Sequence, residues 1–157
     1  MLIGIKCLES NNETKGSKIH FHDDLTLVDY SNITIAQVKM FFKIVDKVKA
    51  NPEDKIVIHC AEGLGRSGTM LCTLYIRSKF MHLNKNDLLR KNLQKTANIT
   101  LLSAYTRAGS AQAYPLVKES VDVIRANYSK QAIETEGHVE TLNQLVDHFL
   151  KTEKIKK

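Results

Sequence analysis

The sequence contains few of the residues that mark disulfide-rich, linker-rich or membrane-embedded proteins. Its 157 residues include three cysteines, two prolines and no tryptophan. The three cysteines, Cys7, Cys60 and Cys72, are odd in number and widely spaced, a pattern that suits a reducing compartment rather than a disulfide framework. The absence of a C-x-x-C pair argues against a structural zinc site. Because no run of eighteen apolar residues is present, we expect no membrane-spanning segment.

The N-terminal stretch 1–16 lacks the basic-then-apolar layout of a secretory signal. Together with the cysteine pattern, this predicts a cytoplasmic protein in a reducing compartment. Export as a secreted effector through a signal elsewhere in the chain stays open as an alternative.

Length and charge predict a single basic domain over residues 1–157. A composition of 43% hydrophobic and 25% charged residues is ordinary for a globular protein. The formal net charge of +6 favours anionic partners such as phosphates. Because the lysines are scattered and are not interleaved with aromatic residues, we expect no nucleic-acid partner.

The pattern of apolar residues predicts an α/β fold. We expect β-strands at 2–8, 18–22 and 55–59, and helices at about 34–51, 66–80, 85–95, 114–128 and 138–152. The alternation predicts a parallel or mostly parallel central sheet flanked by helices, followed by a helix-rich C-terminal half. Three strands are few for such a sheet, so either another strand is hidden or the chain is a minimal, N-terminally short version of its fold.

The first of these helices has both a start signal and an apolar face. Thr34, followed by Gln37 three residues later, predicts a capping box, and Asn51-Pro52 ends the helix. An apolar stripe at helical spacing follows the cap, and similar stripes occur in the last two helices. The stripes consist of Ile35, Val38, Phe41, Phe42, Val45 and Val48; of Val117, Val121, Ile124 and Tyr128; and of Val139, Leu142, Leu145, Val146, Phe149 and Leu150.

Residues 56–69 read IVIHCAEGLGRSGT, a β-rich segment followed by a glycine-rich loop and the start of a helix. Gly63 and Gly65 let the backbone curl so that successive N–H groups point inward. The positive end of the following helix faces the same point. The loop 60–66 therefore predicts an anion cradle of about the size of a phosphate.

The side chains in this stretch have the chemistry of phosphoryl transfer. Arg66 can clamp two phosphate oxygens with its planar guanidinium. A cradle that binds a phosphate dianion also stabilises a thiolate, so Cys60 is a candidate in-line nucleophile. Ser67 can donate a hydrogen bond to the sulfur, and His59 is expected to orient the loop. The alternative for Cys60 is inert packing, and a Walker A loop does not fit because Arg66 stands where a lysine is required.

The segment HCAEGLGRSGT resembles the signature HCxxGxxR[ST] of the cysteine-based protein tyrosine phosphatases, with Glu62 as in dual-specificity members. The resemblance covers about residues 18–80. It implies hydrolysis of phosphate esters through a phosphocysteine intermediate, with no metal and no other cofactor. By position, Cys60 is the nucleophile, Arg66 stabilises the transition state and Ser67 assists departure of the thiolate. The backbone amides that would hold the phosphate oxygens are those of Ala61, Glu62, Gly63, Leu64, Gly65 and Arg66.

The resemblance also places a general acid on a loop upstream of the first helix, where this chain reads HFHDDLTLVDYSN. Expelling an alkoxide or phenoxide requires such a proton donor. Asp24 is the preferred candidate, because Asp-Leu-Thr resembles the Asp-x-Thr of some dual-specificity and lipid-directed members; Asp23 and Asp29 stay open. The same stretch offers metal ligands in His20, His22 and the two adjacent aspartates, but without further clustered ligands we expect no metal.

Two further features have both a functional and a structural interpretation. The stretch RAGSAQAY carries Gln112 where related phosphatases often keep a loop near the active site, which implies a supporting role, and Arg107 could add a phosphate contact. The alternative is a turn before a helix that begins near Pro115. Cys7 could form a reversible disulfide with Cys60, and its alternative is a small buried hydrophobic residue.

The substrate class is open between proteins and lipids. Ala61 and Leu64 add no charge to the loop. This favours a phosphoprotein substrate that carries phosphotyrosine, phosphoserine or phosphothreonine. The Asp-Leu-Thr resemblance favours a phosphoinositide instead. Two further alternatives are rhodanese-like sulfur or arsenate chemistry and a module that binds phosphate without catalysis. No oligomeric state is predicted.

Overall fold

The computed structural model describes residues 5–9, 18–21, 32–50, 54–60, 64–101 and 109–154. Within these residues the elements follow in the order β1 (Ile5–Glu9), β2 (Lys18–Phe21), α1 (Ile35–Lys49), β3 (Lys55–Ile58), α2 (Gly65–His82), α3 (Lys85–Lys91), β4 (Ala97–Leu101), β5 (Gly109–Ala113), α4 (Pro115–Asn127) and α5 (Glu136–Lys154). The predicted mixed α/β class is confirmed. None of the described helices combines the length and the apolarity needed to cross a bilayer.

β1 lies between β2 and β3 and is antiparallel to both. Cys7 on β1 is paired with His20 on β2 and with Ile56 on β3. β2 and β3 therefore run in the same direction, and α1 connects them. The predicted parallel central sheet is not confirmed, because β1 is inserted between the two strands that a strand–helix–strand pattern would pair directly.

β4 and β5 form a second, two-stranded antiparallel sheet that was not predicted. Ile99, Leu101 and Ala113 are buried in it, and the sheet packs against α4 and α5. The β5 sequence GSAQA is poor in β-branched and aromatic residues, which is why its pattern indicated a turn. Gln112 consequently lies on a strand.

α1 begins with the predicted capping box. The Gln37 amide donates to Thr34 Oγ1 at 3.2 Å, and the Thr34 amide donates to Gln37 Oε1 at 2.9 Å. These bonds satisfy amide donors at the start of the helix. The predicted apolar stripe is buried, apart from the half-buried Ile35.

α2 is the central helix of the fold and packs against α1, α4 and α5. Its buried residues lie around most of the helix, as in a core helix. Two buried hydroxyls are satisfied locally: Thr69 Oγ1 donates to Gly65 O at 2.8 Å, and Thr73 Oγ1 donates to Met70 O at 2.7 Å. Cys72 is fully buried in α2, and burial raises the pKa of its thiol to about 12, so Cys72 is a core residue.

α4 and α5 close the core over the second sheet. The buried Asn143 on α5 accepts a hydrogen bond from the Tyr114 amide at 3.1 Å and donates to Gln112 O at 3.0 Å. The predicted stripe of α5 is buried or half-buried. In the stripe of α4, Tyr128 departs from the prediction, since it follows the helix and is 47% exposed.

Candidate active site

Cys60 lies between β3 and α2, the position predicted from the sequence. After β3, His59 is exposed and Cys60 is half-buried. Leu64 is the N-cap of α2, and Gly65 is its first residue. The residues between them, 61–63, lie outside the part of the chain that the structure describes. The described backbone therefore confirms a strand, a short connection and a helix.

The first turn of α2 begins with backbone amides that the helix itself does not pair. Leu64 makes no side-chain cap hydrogen bond. The Gly68 amide closes the first turn by donating to Leu64 O at 3.1 Å, and the amides before it have no acceptor within the helix. The first turn, Gly-Arg-Ser-Gly, contains no carboxylate, so no side chain of this turn neutralises the positive end of the helix.

Gly65 allows α2 to approach the start of α5 closely. A Cβ atom at this position would lie 2.5 Å from Glu134 Oε2 and 2.5 Å from Cε1 of His138. The sequence assigned Gly65 to a curl in the loop. In the structure it is the first helical residue, and glycine is needed there because no space remains for a side chain.

Arg66 and His138 are two buried basic side chains beside this contact, with exposed fractions of 5% and 4%. Burial, and secondarily the charge of Arg66, lower the pKa of His138 to about 4, so its imidazole is neutral at pH 7. Its Nδ1 accepts a hydrogen bond from the Glu134 amide at 3.3 Å, which leaves the proton on Nε2. Arg66 is thus the charged member of the two.

Ser67 follows Arg66, and its hydroxyl is buried in the first turn of α2. Among the described residues, its Oγ is the one buried side-chain polar atom without a hydrogen-bond partner. A buried hydroxyl without a hydrogen bond lowers the stability of the folded chain by about 1–3 kcal/mol, so its presence here calls for an explanation. At this place it can donate to a nearby thiolate or to an oxygen of a bound anion.

Tyr128 lies close to both Ser67 and Cys60. Burial raises the pKa of its phenol, and negative charge on Cys60 raises it further. A polar contact with Ser67, which lacks the geometry of a full hydrogen bond, lowers that pKa. The end of α4 is therefore part of the surroundings of the predicted nucleophile.

The segment 129–135, between α4 and α5, is held against the start of α2. Arg125 donates from Nε to Ala132 O at 3.0 Å and from Nη2 to Ile133 O at 3.1 Å. Ile133 is fully buried with φ at 66°, a left-handed conformation that is unfavourable for a β-branched residue. A Cβ atom on Gly68 would lie 3.0 Å from Cβ of Ala132. Packing against α2 therefore holds a strained residue in place.

Sequence reasoning did not find Tyr128 or His138 as neighbours of the site. Tyr128 was assigned to an apolar stripe, and His138 was assigned no role. No local signal could have identified them, because His138 meets Gly65 and Tyr128 meets Ser67 only when α4 and α5 fold back onto α2.

Gln112, predicted to support the site, is exposed on β5. It lines an open groove together with Lys95, Glu136 and Glu140. Cys60 and Arg66 are not part of the described lining of this groove. A role for Gln112 in catalysis stays a prediction that no described contact supports.

Several predicted residues lie outside the described part of the chain. They include the acid candidates Asp23, Asp24 and Asp29, the cradle residues Ala61, Glu62 and Gly63, and also His22 and Arg107, while the side chains of Cys7 and His20 are likewise not described. Within the described residues, no group of three or more potential metal ligands occurs. The roles of all these residues stay predictions.

A family model described as "Polymorphic toxin system, DSP-PTPase phosphatase" (Tc-R-P) matches residues 4–80. The matched segment is just under half of the 157-residue chain and includes Cys60, Arg66 and Ser67. The match confirms the resemblance to cysteine phosphatases of the dual-specificity type. No solved structure matches the chain significantly.

Proposed function

Because residues 4–80 resemble a cysteine phosphatase of the dual-specificity type, we propose that this chain is a phosphoester hydrolase with Cys60 as its nucleophile. The proposed substrates are phosphotyrosine, and phosphoserine or phosphothreonine, in proteins. The proposal depends on one arrangement: Cys60 precedes the amino end of α2, where Arg66 and the unpaired hydroxyl of Ser67 are buried. An anion bound there would meet both the positive end of the helix and a guanidinium.

In the first proposed step, the Cys60 thiolate attacks phosphorus and forms an S–P bond while the P–O bond of the ester breaks. The leaving oxygen takes a proton from a carboxylic acid, which we assign to Asp24, with Asp23 and Asp29 as alternatives. Arg66 and the amides of residues 61–66 bind the three non-bridging oxygens, whose charge is greatest as the phosphoryl group is transferred.

In the second proposed step, water attacks the phosphocysteine, the S–P bond breaks and inorganic phosphate leaves. The aspartate deprotonated in the first step accepts the proton of the attacking water, which regenerates the acid. The Ser67 hydroxyl donates a hydrogen bond to the departing thiolate. This role supplies the full hydrogen bond that the buried Ser67 hydroxyl lacks among the described residues.

The polymorphic toxin description of the matching family supports a place of action outside the producing cell. We propose that the chain is released as a secreted effector and dephosphorylates proteins that it reaches after export. Its site of action must be reducing, because an oxidised Cys60 cannot attack phosphorus.

Hydrolysis of a small aryl phosphate between pH 4 and pH 8, with a chelator present, tests this function. We expect the parent chain to be active and Cys60→Ser to be inactive. Cys72→Ser is the matched control, because Cys72 is buried in α2 and is expected to take no part in the chemistry. Loss of activity on chelation would contradict the proposed mechanism.

The same assay assigns the general acid. Replacing the acid by alanine should lower kcat by about 10²–10⁴-fold and remove the basic limb of the pH profile. Asp24→Ala is expected to show this loss, and Asp23→Ala and Asp29→Ala are its matched controls. A folded parent chain that binds phosphate without hydrolysing any ester would indicate a phosphate-binding module instead.

A further inference from the structure

An apolar groove with a volume of about 460 Å³ lies between β3 and the helices α1 and α2. Apolar side chains from all three elements line it, among them Phe41 and Val45 on α1, Ile56 and Ile58 on β3, and Leu71 and Leu74 on α2. Phe41 is fully buried, whereas the two isoleucines and the two leucines are only half-buried. The groove therefore leaves part of the apolar surface of the sheet and of α2 uncovered by the described residues.

β3 borders this groove and is an edge strand within the part of the chain that the structure describes. It pairs with β1 along one side, and no other described strand lies along its second side. Burial alternates along β3: Ile56 and Ile58 are half-buried on the groove side, whereas Lys55 and Val57 are exposed, Val57 by 42%. An edge strand presents a row of backbone N–H and C=O groups that can pair with a further strand.

An edge strand beside an apolar groove specifies the kind of molecule that fits both. An extended segment laid along β3 pairs with the backbone groups of the strand and places every second side chain on the groove side. A helix or an alkyl chain could cover the apolar surface, but neither would pair with the backbone of β3. The occupant that matches both features is an extended segment with apolar residues at alternate positions.

The charges around the groove favour an acidic occupant. Lys49 lines the groove at the end of α1, and Lys55 is exposed on β3, whereas Asp54 is the one carboxylate in the described lining. Opposite charges on facing strands stabilise the pairing, and like charges destabilise it. A second copy of the chain, which carries a net charge of +6, would bring its own lysines to the same surface in a two-fold symmetric pair. Electrostatic complementarity therefore favours an acidic partner over a second copy.

We propose that the outer edge of β3 and the groove beside it form a docking surface for an extended, acidic segment of a partner protein. The segment adds to β3 as a further strand and buries its alternate apolar side chains against Leu71 and Leu74. Its acidic residues lie beside Lys49 and Lys55. The described lining of the groove contains neither Cys60 nor Arg66, so this inference does not depend on the proposed phosphatase function.

Binding of a designed probe peptide to the full chain tests the docking surface. The probe has about nine residues, the length of a long strand, with valine and threonine alternating between pairs of glutamates. One control peptide has the same composition with its valines placed together, and the other carries lysines in place of the glutamates. Fluorescence anisotropy should give a Kd between about 1 μM and 1 mM for the probe, and binding at least about fivefold weaker for both controls. Equal Kd values for the three peptides, or no binding of the probe, would overturn the inference.

Two variants separate the charge from the apolar contact. Lys55→Glu should weaken binding of the glutamate peptide by roughly two- to tenfold and strengthen binding of the lysine peptide. Lys43→Glu is its matched control, because Lys43 is exposed on α1 and is not part of the described lining. Leu74→Glu should weaken probe binding by more than about tenfold, since the bound segment would bury an unpaired charge. Its matched control is Leu93→Glu, at a position that is 72% exposed and outside the described lining.

Thermal unfolding shows whether each variant is folded, and Lys55→Glu decides the question if Leu74→Glu does not fold. Kd values of both charged peptides that stay unchanged in Lys55→Glu would overturn the acidic docking surface.

Hydrogen exchange locates the bound peptide on the chain. We expect the probe to slow exchange of the amides of β3, residues 55–58, because an added strand pairs with the edge of β3. Protection of other amides without protection of β3 would overturn the inference. Sedimentation of the chain alone tests the second copy as an occupant: self-association that protects the same amides would replace the acidic partner by a second copy.

Discussion

Gly65 and His138 approach so closely that a Cβ atom on the glycine would lie 2.5 Å from Cε1 of the imidazole. His138 is 4% exposed and accepts a hydrogen bond from the Glu134 amide, so it has little room to move. This contact joins the first residue of the helix after Cys60 to the first turn of α5. The position of the amino end of α2, where we propose that phosphate binds, therefore depends on α5.

Gly65→Ala should destabilise the fold and impair phosphate binding. Glycine in a helix is ordinarily about 1 kcal/mol worse than alanine, so a neutral site would be stabilised by this change. Overpacking here should reverse the sign and lower the free energy of unfolding by about 1–3 kcal/mol. Urea denaturation measures this free energy of unfolding for the parent chain and for Gly65→Ala.

The matched control for Gly65→Ala is the same change combined with His138→Ala, which removes one of the two side chains that the new methyl group would meet, the other being Glu134. The two changes together should destabilise less than the sum of the single effects. Strict additivity, or stabilisation by Gly65→Ala alone, would contradict the contact.

The free energy of unfolding should depend on pH through His138. Its pKa is about 4 in the folded chain against 6.5 for the unperturbed side chain. Above pH 6.5 neither state is protonated. Between pH 6.5 and 4 the unfolded chain binds the proton more tightly than the folded chain. The free energy of unfolding therefore decreases as the pH is lowered through this range, by up to about 3 kcal/mol in total, and it loses no more from His138 below pH 4.

His138→Gln should flatten the stability curve between pH 6.5 and pH 4, because glutamine does not titrate. The charged groups around His138, Arg66 on α2 and Glu134 before α5, stay in place in this variant. His148→Gln is the control, since His148 on α5 is more exposed and should change the curve less. Parallel curves for the parent and His138→Gln would show that burial does not hold His138 neutral.

Asn143→Ala should destabilise the chain by about 2 kcal/mol or more. The side chain pairs both the Tyr114 amide and Gln112 O, and it is buried, so its removal leaves two backbone groups without partners. Asn127→Ala is a matched control, because its amide donates to Val123 O at an exposed position. Thermal unfolding compares the two variants, and equal losses would contradict the account of the second sheet.

Alkylation should distinguish the two described cysteines. Cys60 is half-buried, whereas Cys72 is fully buried with its pKa raised to about 12, so almost no thiolate is present there at pH 7. Iodoacetamide should modify Cys60 in the folded chain and reach Cys72 only after unfolding. Peptide mass mapping measures both sites, with Cys60→Ser as the control. Modification of Cys72 in the folded chain would show that α2 opens readily.

Features that depend on neighbouring residues in the chain could be predicted from the sequence. Thr34 and Gln37 identified the start of α1, and the spacing around Cys60 identified a strand, a loop and a helix. The predicted parallel central sheet was not confirmed, because the antiparallel partners of β1 are chosen by long-range pairing, which no local pattern records. The surroundings of Cys60 were incomplete for the same reason, since His138 and Tyr128 reach the site only through the packing of α4 and α5 on α2.

Trapping of the reaction intermediate tests the role of Cys60 most directly. The parent chain is mixed with an aryl phosphate, quenched in acid within the first turnover and digested for mass spectrometry. We expect one phosphoryl group on the peptide that contains Cys60, and none on the corresponding peptide of Cys60→Ser. Hydrolysis by Cys60→Ser, or a phosphoryl group on another residue, would contradict Cys60 as the nucleophile.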